Sequence, residues 1–221
     1  MKLMVGHTKG GTGKTTLALN LGVTQTLRGR DVWMVDADVQ GTLLAALAQR
    51  GDRLPPIAAA HYTDGDALLS QMKQAYRYDD VVIDAGGRDS PQLRAGLIAV
   101  DVLLVPFQPR NFDLWALEDL GHLVKEAEEI RRRRGDAPLR ILGVLNQADT
   151  AGQDNDQAMA LATQTIPGLQ ALQVQIRRRK SYNNAAADGL AVTEFRPRDT
   201  KAIEEIEALV DSVFNNEKAI K

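Results

Sequence analysis

The chain has 221 residues, of which 44% are hydrophobic and 25% are charged, the usual balance for a globular protein. The net charge of −2 gives no general attraction to nucleic acid, so any DNA contact must come from a local basic patch. The chain has no cysteine, which excludes disulfides, zinc–thiolate sites and iron–sulfur clusters. We find neither a signal peptide nor an apolar run long enough to cross a bilayer, and we therefore expect a cytoplasmic protein.

The first predicted elements are a short buried strand at residues 3–5 and a helix at residues 15–27. The glycine-rich loop between them is typical of a phosphate-binding P-loop. Glycines allow backbone N–H groups to approach an anion, and the first turn of the helix adds unpaired donors and a positive dipole end. We expect Lys14 to reach the β- and γ-phosphates of a nucleotide and the Thr15 hydroxyl to ligate Mg²⁺. The alternative is a turn that only joins strand and helix.

The loop resembles the deviant Walker A motif, KGGxGK[ST], of the ParA/MinD family of ATPases. The resemblance implies ATP and Mg²⁺ as cofactors. The nucleotide contacts that it implies in the loop are Lys9, Gly10, Gly11, Thr12, Gly13, Lys14, Thr15 and Thr16. It also implies a catalytic role for Lys14 and for Lys9, which would cross to the nucleotide of a partner subunit in an ATP-bound sandwich dimer. A solvated lysine is the alternative for Lys9. Relatives that carry iron–sulfur clusters are excluded, because they need cysteine.

A second buried strand is predicted at residues 31–36, and it ends in Asp36-Ala37-Asp38-Val39-Gln40-Gly41. This segment resembles the D-x-D-P-Q-G motif of the same family, with Val39 in the place of proline. A carboxylate beside the γ-phosphate can orient the attacking water or hold Mg²⁺ through water. The resemblance implies that Asp38 is the hydrolytic residue and a metal-site residue, with Asp36 in support. A helix N-cap is the alternative for either aspartate.

Helices are predicted at residues 43–50 and 67–78, and a third apolar strand is predicted at residues 79–84. An apolar strand that ends in an aspartate is the Walker B arrangement, so we expect Asp84 to hold Mg²⁺ through water. The following glycines resemble the switch II motif of the family, D-x-x-G, which implies an N–H contact with the γ-phosphate. Arg88 and Asp89 either move with this switch or form a surface pair.

A fourth strand, at residues 100–106, leads into residues 106–113, which resemble the P-x-x-P-S-x-x-D segment of ParA proteins. Arg110 stands where serine is frequent, and its role stays open. A helix predicted at residues 114–134 ends in four arginines, residues 131–134. These arginines complement the helix dipole or contact DNA, and the sequence favours neither.

A strand at residues 139–145 precedes Asn146, a helix at 152–166 and a strand at 172–176. In the ParA/MinD family the corresponding asparagine lies close to adenine, which implies that role for Asn146. A segment later in the chain also resembles the family, and it implies a nucleotide contact for Pro197. The basic residues of this segment are Arg177, Arg178, Arg179 and Lys180. Adjacent cations can hold phosphates without reading bases, so we expect salt-sensitive, sequence-neutral DNA binding here, with a solvated charge run as the alternative.

A last helix is predicted at residues 200–214, and its acidic outer face disfavours binding to an anionic membrane. Strands and helices alternate throughout, which predicts an α/β fold with a doubly wound, mostly parallel sheet flanked by helices. We expect one ParA-like ATPase domain over residues 1–221, without an N-terminal helix-turn-helix extension.

The resemblance implies an ATPase that forms an ATP- and Mg²⁺-dependent homodimer and binds non-specific DNA, and so associates with the nucleoid. A ParB-like or other adaptor would stimulate hydrolysis. The cargo would be a plasmid, a chromosome origin, a conjugation complex or a protein organelle such as a carboxysome. The alternatives are a metabolic P-loop enzyme similar to dethiobiotin synthetase and a MinD-like membrane-cycling regulator.

Overall fold

The computed structural model describes residues 1–109, 114–149 and 154–215. The strands are β1 (Lys2–Val5), β2 (Val32–Ala37), β3 (Ala58–His61), β4 (Asp80–Ala85), β5 (Val102–Phe107), β6 (Arg140–Ala148) and β7 (Leu169–Arg177). The helices are α1 (Lys14–Leu27), α2 (Thr42–Gln49), α3 (Gly65–Gln71), α4 (Pro91–Ala99), α5 (Leu114–Arg134), α6 (Asp154–Thr165), α7 (Lys180–Ala187) and α8 (Thr200–Phe214). A 3-10 helix, Met72–Arg77, follows α3 directly.

The strands form one seven-stranded sheet in the order β3-β2-β4-β1-β5-β6-β7. Every pairing in the described part of the chain is parallel. Strand β1 lies between β4 and β5, so the direction of winding reverses beside it. In doubly wound sheets, ligands bind at the carboxyl ends of the strands near such a reversal. The predicted fold class is confirmed, and the P-loop lies at this reversal.

Two apolar layers cover the two faces of the sheet, because alternate residues of a strand point to opposite sides. Met4 and Ile83 pack with residues of α4 and α5 on one face. Leu3 and Val82 pack with residues of α1 and α8 on the other face. The central strands are buried on both faces, which explains their nearly continuous apolar sequences.

The edge strand β3 and the split of the third helix were not predicted. Three of the four residues of β3 are alanine, so the strand has no period-two pattern. The helix predicted at residues 67–78 consists of α3, which starts at Gly65, and the 3-10 helix that follows it. Asp64 caps α3 by accepting a hydrogen bond from the backbone N–H of Ala67 at 2.8 Å.

Candidate functional site

The P-loop connects β1 to α1, and two of its glycines have left-handed backbone conformations. Gly11 has a φ of 76° and Gly13 a φ of 89°, values that L side chains rarely adopt. A Cβ atom on Gly13 would also lie 2.1 Å from Nδ2 of Asn146. Gly11 is therefore required by its backbone conformation, and Gly13 is required by both conformation and space.

Side chains from other strands hold the P-loop in place. Nδ2 of Asn146, near the end of β6, donates to the carbonyl of Thr12 at 2.7 Å. Nε2 of Gln108, just after β5, donates to the carbonyl of Gly11 at 2.7 Å. These bonds attach the loop to the ends of β5 and β6 without a bound ligand.

Lys14 is buried at the start of α1, and its ammonium group donates to the carbonyl of Lys9 at 2.8 Å. Burial lowers the pKa of Lys14, and the negative charges of Asp84 and Asp38 partly oppose this shift. The main chain of Lys9 is fixed by a bond from its N–H to Nδ1 of His7 at 3.0 Å. A contact of Lys9 with a partner subunit stays a prediction.

Asp84 has the surroundings expected of a residue that holds a hydrated cation. It lies at the end of β4, in register with Asp36 on β2 and with Val5 on β1. Its carboxylate is buried, and neither oxygen has a hydrogen bond of normal geometry among the described residues, although the Thr15 hydroxyl is close enough to lower its pKa. Burial raises its pKa to about 7, and the nearby Thr15 hydroxyl and Lys14 ammonium partly offset the rise. A buried, unpaired carboxylate requires a partner, and a magnesium ion with its waters fits this position.

The described residues contain no group of three or more histidine, aspartate or glutamate side chains that could hold a metal ion unaided. Mg²⁺ usually binds through one or two protein groups together with substrate phosphates and waters. Thr15 and Asp84 fit such a site, which would depend on the nucleotide for its remaining ligands.

Asp36 fixes the loop that follows β2. One of its oxygens accepts the backbone N–H of Asp38 at 3.0 Å, and the other accepts that of Leu44 at 2.9 Å. Both oxygens are thus used to brace the loop and the start of α2. Asp36 therefore has a structural role in this loop, and its support of Asp38 in catalysis stays a prediction.

The carboxylate of Asp38 faces the glycines that follow β4. A Cβ atom on Gly86 would lie 3.4 Å from Cγ of Asp38. A Cβ atom on Gly87 would lie 2.9 Å from Cα of Gly10 and 3.2 Å from Nζ of Lys14. Gly86 therefore lies beside Asp38 with room for a methyl group, whereas a side chain on Gly87 would collide with the P-loop.

Sequence reasoning missed His61, which contacts the same loop. Its Nε2 atom lies 2.7 Å from the main-chain carbonyl of Asp38. His61 is the last residue of β3, and it was overlooked because the strand itself gave no periodic signal.

A cavity of about 360 Å³ lies beside the P-loop. Its walls are formed by the end of β6, the end of β7 and the start of α7. The lining residues are Gly13, Thr16, Leu17, Asn146, Gln147, Ile176, Arg177, Arg178, Arg179, Lys180, Tyr182 and Asn183. The predicted base contact Asn146 is thus placed next to the loop, whereas Pro197 is exposed and does not line this cavity.

The basic residues of the run at 177–180 differ in their contacts and in their exposure. Arg179 forms an ion pair with Glu205 of α8 at 2.5 Å, and the Tyr182 hydroxyl also lies 3.0 Å from Glu205. Arg178 donates to the side-chain oxygen of Gln147 at 2.9 Å and is exposed, as is Lys180. Arg179 therefore fastens the run to α8, and Arg178 and Lys180 stay accessible to a ligand.

In the second basic run, at the end of α5, the first arginine has a structural role. Arg131 is buried and donates to the carbonyls of Ile98 at 2.8 Å, Val100 at 2.7 Å and Ala137 at 2.6 Å. Arg132 and Arg133 both pair with Glu129 on the surface. Arg131 is therefore not accessible to DNA, and the carbonyls that it binds lie at the end of α4 and beyond α5 rather than in its own helix.

Two further expectations concern residues 106–113 and α8. Residues 110–113, including Arg110, lie outside the described residues.

Helix α8 buries Ile206 and Val210 in the core, and its exposed face carries Glu204, Glu207 and Asp211. No helix in the described ranges is long and apolar enough to cross a membrane.

The chain is similar to known proteins over nearly its full length. The model of the CobQ/CobB/MinD/ParA nucleotide binding domain matches residues 3–192. The protein called "Maintenance of carboxysome distribution protein A" from Halothiobacillus neapolitanus is 32% identical, with 96% of this chain and 95% of that protein covered. The chain therefore belongs to the CobQ/CobB/MinD/ParA nucleotide-binding family, and the resemblance to ParA/MinD proteins is confirmed.

Solved structures confirm the fold. The ATP complex of a variant of Cyanothece McdA matches with a TM-score of 0.74 and 18% identity, with 100% of this chain and 98% of that chain covered. Cobyrinic acid a,c-diamide synthase from Mycobacterium smegmatis, with an ATP analogue and magnesium, matches with a TM-score of 0.76 and 19% identity, with 100% and 96% covered. At these identities the likeness concerns the fold alone.

Proposed function

We propose that the chain is one ATPase domain of the ParA type, which uses ATP and Mg²⁺ to position a cargo in the cytoplasm. The observation that carries the proposal is the meeting of Lys14, Asp38 and the unpaired carboxylate of Asp84 around one preformed P-loop. These groups are the parts that phosphoryl transfer requires: a cation on the phosphates, a carboxylate near the attacking water and a metal-holding carboxylate.

In this mechanism the N–H groups of the P-loop bind the phosphates. The ammonium group of Lys14 neutralises the negative charge that develops on the β- and γ-phosphates during hydrolysis. Mg²⁺, when bound, would neutralise negative charge on the phosphates. Thr15 and Asp84 would hold it. Asp38 orients a water for in-line attack on the γ-phosphate, and the N–H of Gly86 or Gly87 stabilises the transferred group.

The dimer and DNA parts of the proposal rest on separate residues. Lys9 reaches the nucleotide of a second copy, so dimerisation requires ATP. The ATP-bound dimer holds the DNA backbone through Arg178 and Lys180, both of which are exposed. Release follows when a partner protein stimulates hydrolysis, and ATP-bound protein is therefore associated with the nucleoid.

The similarity over the whole chain to "Maintenance of carboxysome distribution protein A" supports a protein organelle such as a carboxysome as the cargo. A plasmid, a chromosome origin or a conjugation complex would use the same ATPase cycle. The acidic exposed face of α8 disfavours membrane cycling of the MinD kind.

A metabolic synthetase is the second candidate, favoured by the fold similarity to cobyrinic acid a,c-diamide synthase. Such an enzyme would turn over with a small second substrate and without DNA. The two candidates therefore differ in whether ATP controls the affinity for DNA.

The first experiment is binding to a random-sequence duplex over a salt series. The four conditions are no nucleotide, ADP, ATP, and ATP with the Asp38→Ala variant. We expect tight binding only with ATP, maintained in the variant and falling steeply with salt, because the phosphate contacts release counterions. Equal or absent binding in all four conditions would remove the DNA part of the proposal and favour the synthetase.

A further inference from the structure

We propose that His61 is a positioning residue for hydrolysis, because its Nε2–H holds the main-chain carbonyl of Asp38. This inference rests on the proposed ATPase function. The loop at residues 38–41 lies between β3 on one side and the glycines after β4 on the other. The carboxylate of Asp38 faces Gly86, and the carbonyl of the same residue faces His61. The imidazole therefore holds the main chain of Asp38, whereas the carboxylate of the same residue lies beside Gly86.

The direction of the hydrogen bond follows from its acceptor. A main-chain carbonyl can only accept, so at 2.7 Å the Nε2 atom must carry the proton. In the neutral imidazole the other nitrogen, Nδ1, is then the unprotonated one. The contact thus requires the Nε2–H tautomer of His61.

The position of His61 is set by the sheet. His61 is in register with Asp36 on β2, and the N–H of Tyr62 donates to the carbonyl of Asp36 at 2.9 Å. The imidazole ring lies against Gly41, since a Cβ atom there would be 3.4 Å from Cε1 of the ring. Gly41 has a φ of 64° and ends the loop at the start of α2. His61 therefore touches the loop at both of its ends.

Besides His61, the side chains of Asp36 and Asp38 support this loop by accepting its backbone N–H groups. Val39 is 64% exposed and Gln40 is exposed, so neither side chain anchors the segment in the core. The main chain of Asp38 is held by Asp36 at its N–H, and at its carbonyl by His61 and by the N–H of Gly41 at 3.0 Å. Without the bond from His61, the carbonyl of Asp38 keeps only the N–H of Gly41, and its carboxylate keeps only the N–H of Gln40 at 3.0 Å, which lies in the same exposed loop. A small rotation of this loop then moves the carboxylate away from the attacking water.

The test compares His61→Gln with His61→Leu. The amide of glutamine places an N–H donor near the position of Nε2, whereas leucine fills space without a donor. We expect His61→Leu to lower kcat for ATP hydrolysis roughly three- to ten-fold, the loss of about one hydrogen bond, with KM changed less than about two-fold. His61→Gln should recover kcat to within about two-fold of the unmodified protein.

Two controls separate positioning from general damage. His122 is exposed on α5, and His122→Gln should leave kcat and KM unchanged. In the Asp38→Asn background, His61→Leu should cause no further loss, because its effect acts through Asp38. A rate of His61→Leu equal to that of the unmodified protein, or an equal loss in His61→Gln and His61→Leu, would overturn the inference.

Long-range ¹H–¹⁵N NMR spectra of the histidine rings test the contact without measuring activity. We expect His61, assigned with the His61→Gln variant, to show the Nε2–H tautomer in the folded protein. The Nδ1–H tautomer would contradict the inference even if His61→Leu failed to fold. If the unmodified protein hydrolyses no ATP, the proposed function fails, and the tautomer still decides whether His61 holds Asp38.

Discussion

At the scale of single residues, the P-loop shows why particular residue types are required. Gly13 has a left-handed backbone and lies against the side chain of Asn146. Gly10 lies in the same loop with open space around its Cβ position and an ordinary φ. The two glycines therefore differ in what a methyl group would do.

We predict that Gly13→Ala destabilises the protein by at least about 1 kcal/mol, because it adds backbone strain and displaces Asn146. Nucleotide affinity should fall as the loop loses its support. Gly10→Ala is the matched control and should unfold at nearly the original denaturant concentration. Chemical denaturation and titration with a fluorescent ATP analogue measure the two effects. Equal stability of the two variants would contradict the structural role of Gly13.

Substitutions of the two lysines of the P-loop should impair different steps, nucleotide binding for Lys14 and dimer formation for Lys9. Lys14→Gln removes a buried ammonium group beside the phosphates, and we expect nucleotide binding to fall below detection. Lys9→Ala should keep binding of ATP within about ten-fold but abolish the ATP-dependent dimer, since its proposed contact lies across the subunits. Light scattering on a sizing column with and without ATP measures the dimer. An unchanged dimer in Lys9→Ala would remove the proposed contact across the subunits.

At the scale of elements, two arginines of one run differ in what they do for the fold. Arg131 connects the end of α5 to the end of α4 by donating to the carbonyls of Ile98 and Val100. Arg132, the next residue, pairs with Glu129 on the surface. The sequence alone does not distinguish Arg131 from Arg132. Their burial differs because only one face of α5 packs against α4.

We predict that Arg131→Met lowers the free energy of unfolding by about 2–3 kcal/mol, because several buried carbonyls lose a charged donor. Arg132→Met is the matched control and should change the unfolding midpoint very little, since exposed ion pairs contribute little to stability. Urea denaturation followed by circular dichroism measures both. Similar midpoints for the two variants would show that Arg131 is dispensable for the fold.

Most strands and helices were predictable from the sequence. The elements that were not predicted, β3 and α7, are fixed by contacts with neighbouring elements. The strands of the sheet centre are apolar on both faces, so their sequences are distinctive without any tertiary information. Strand β3 is short, alanine-rich and at the sheet edge, and helix α7 follows the basic run without a strong apolar pattern. These elements are fixed by contacts with β2 and with α8 rather than by their own periodicity.

At the scale of the whole molecule, the basic run at residues 177–180 lies between the cavity beside the P-loop and α8. Arg178 lines the cavity, and Arg179 pairs with Glu205. A side chain of this run can therefore influence nucleotide binding as well as DNA binding, and an experiment on DNA must measure both.

We predict that Arg178→Ala combined with Lys180→Ala weakens ATP-dependent DNA binding and reduces the slope of log affinity against log salt by about 2, one unit for each lost phosphate contact. Arg132→Ala combined with Arg133→Ala removes the same charge from the second basic run, which does not line the cavity, and shows which of the two runs contacts DNA. Dimer formation and ATP affinity, measured in parallel, show whether any loss comes from the nucleotide site. Undiminished DNA affinity would place the DNA-binding patch elsewhere.

The sequence by itself determined the parallel α/β fold, the P-loop and the three strand-end aspartates, because each depends on short-range patterns of apolar, glycine and acidic residues. Only the tertiary structure showed that Asp36 braces the loop, that Asp84 is unpaired and that Arg131 and Arg179 serve the fold. It also added His61 to the site. These features depend on contacts between segments that are distant in the sequence and that the strand order of the sheet brings together. Local sequence patterns do not predict such long-range contacts.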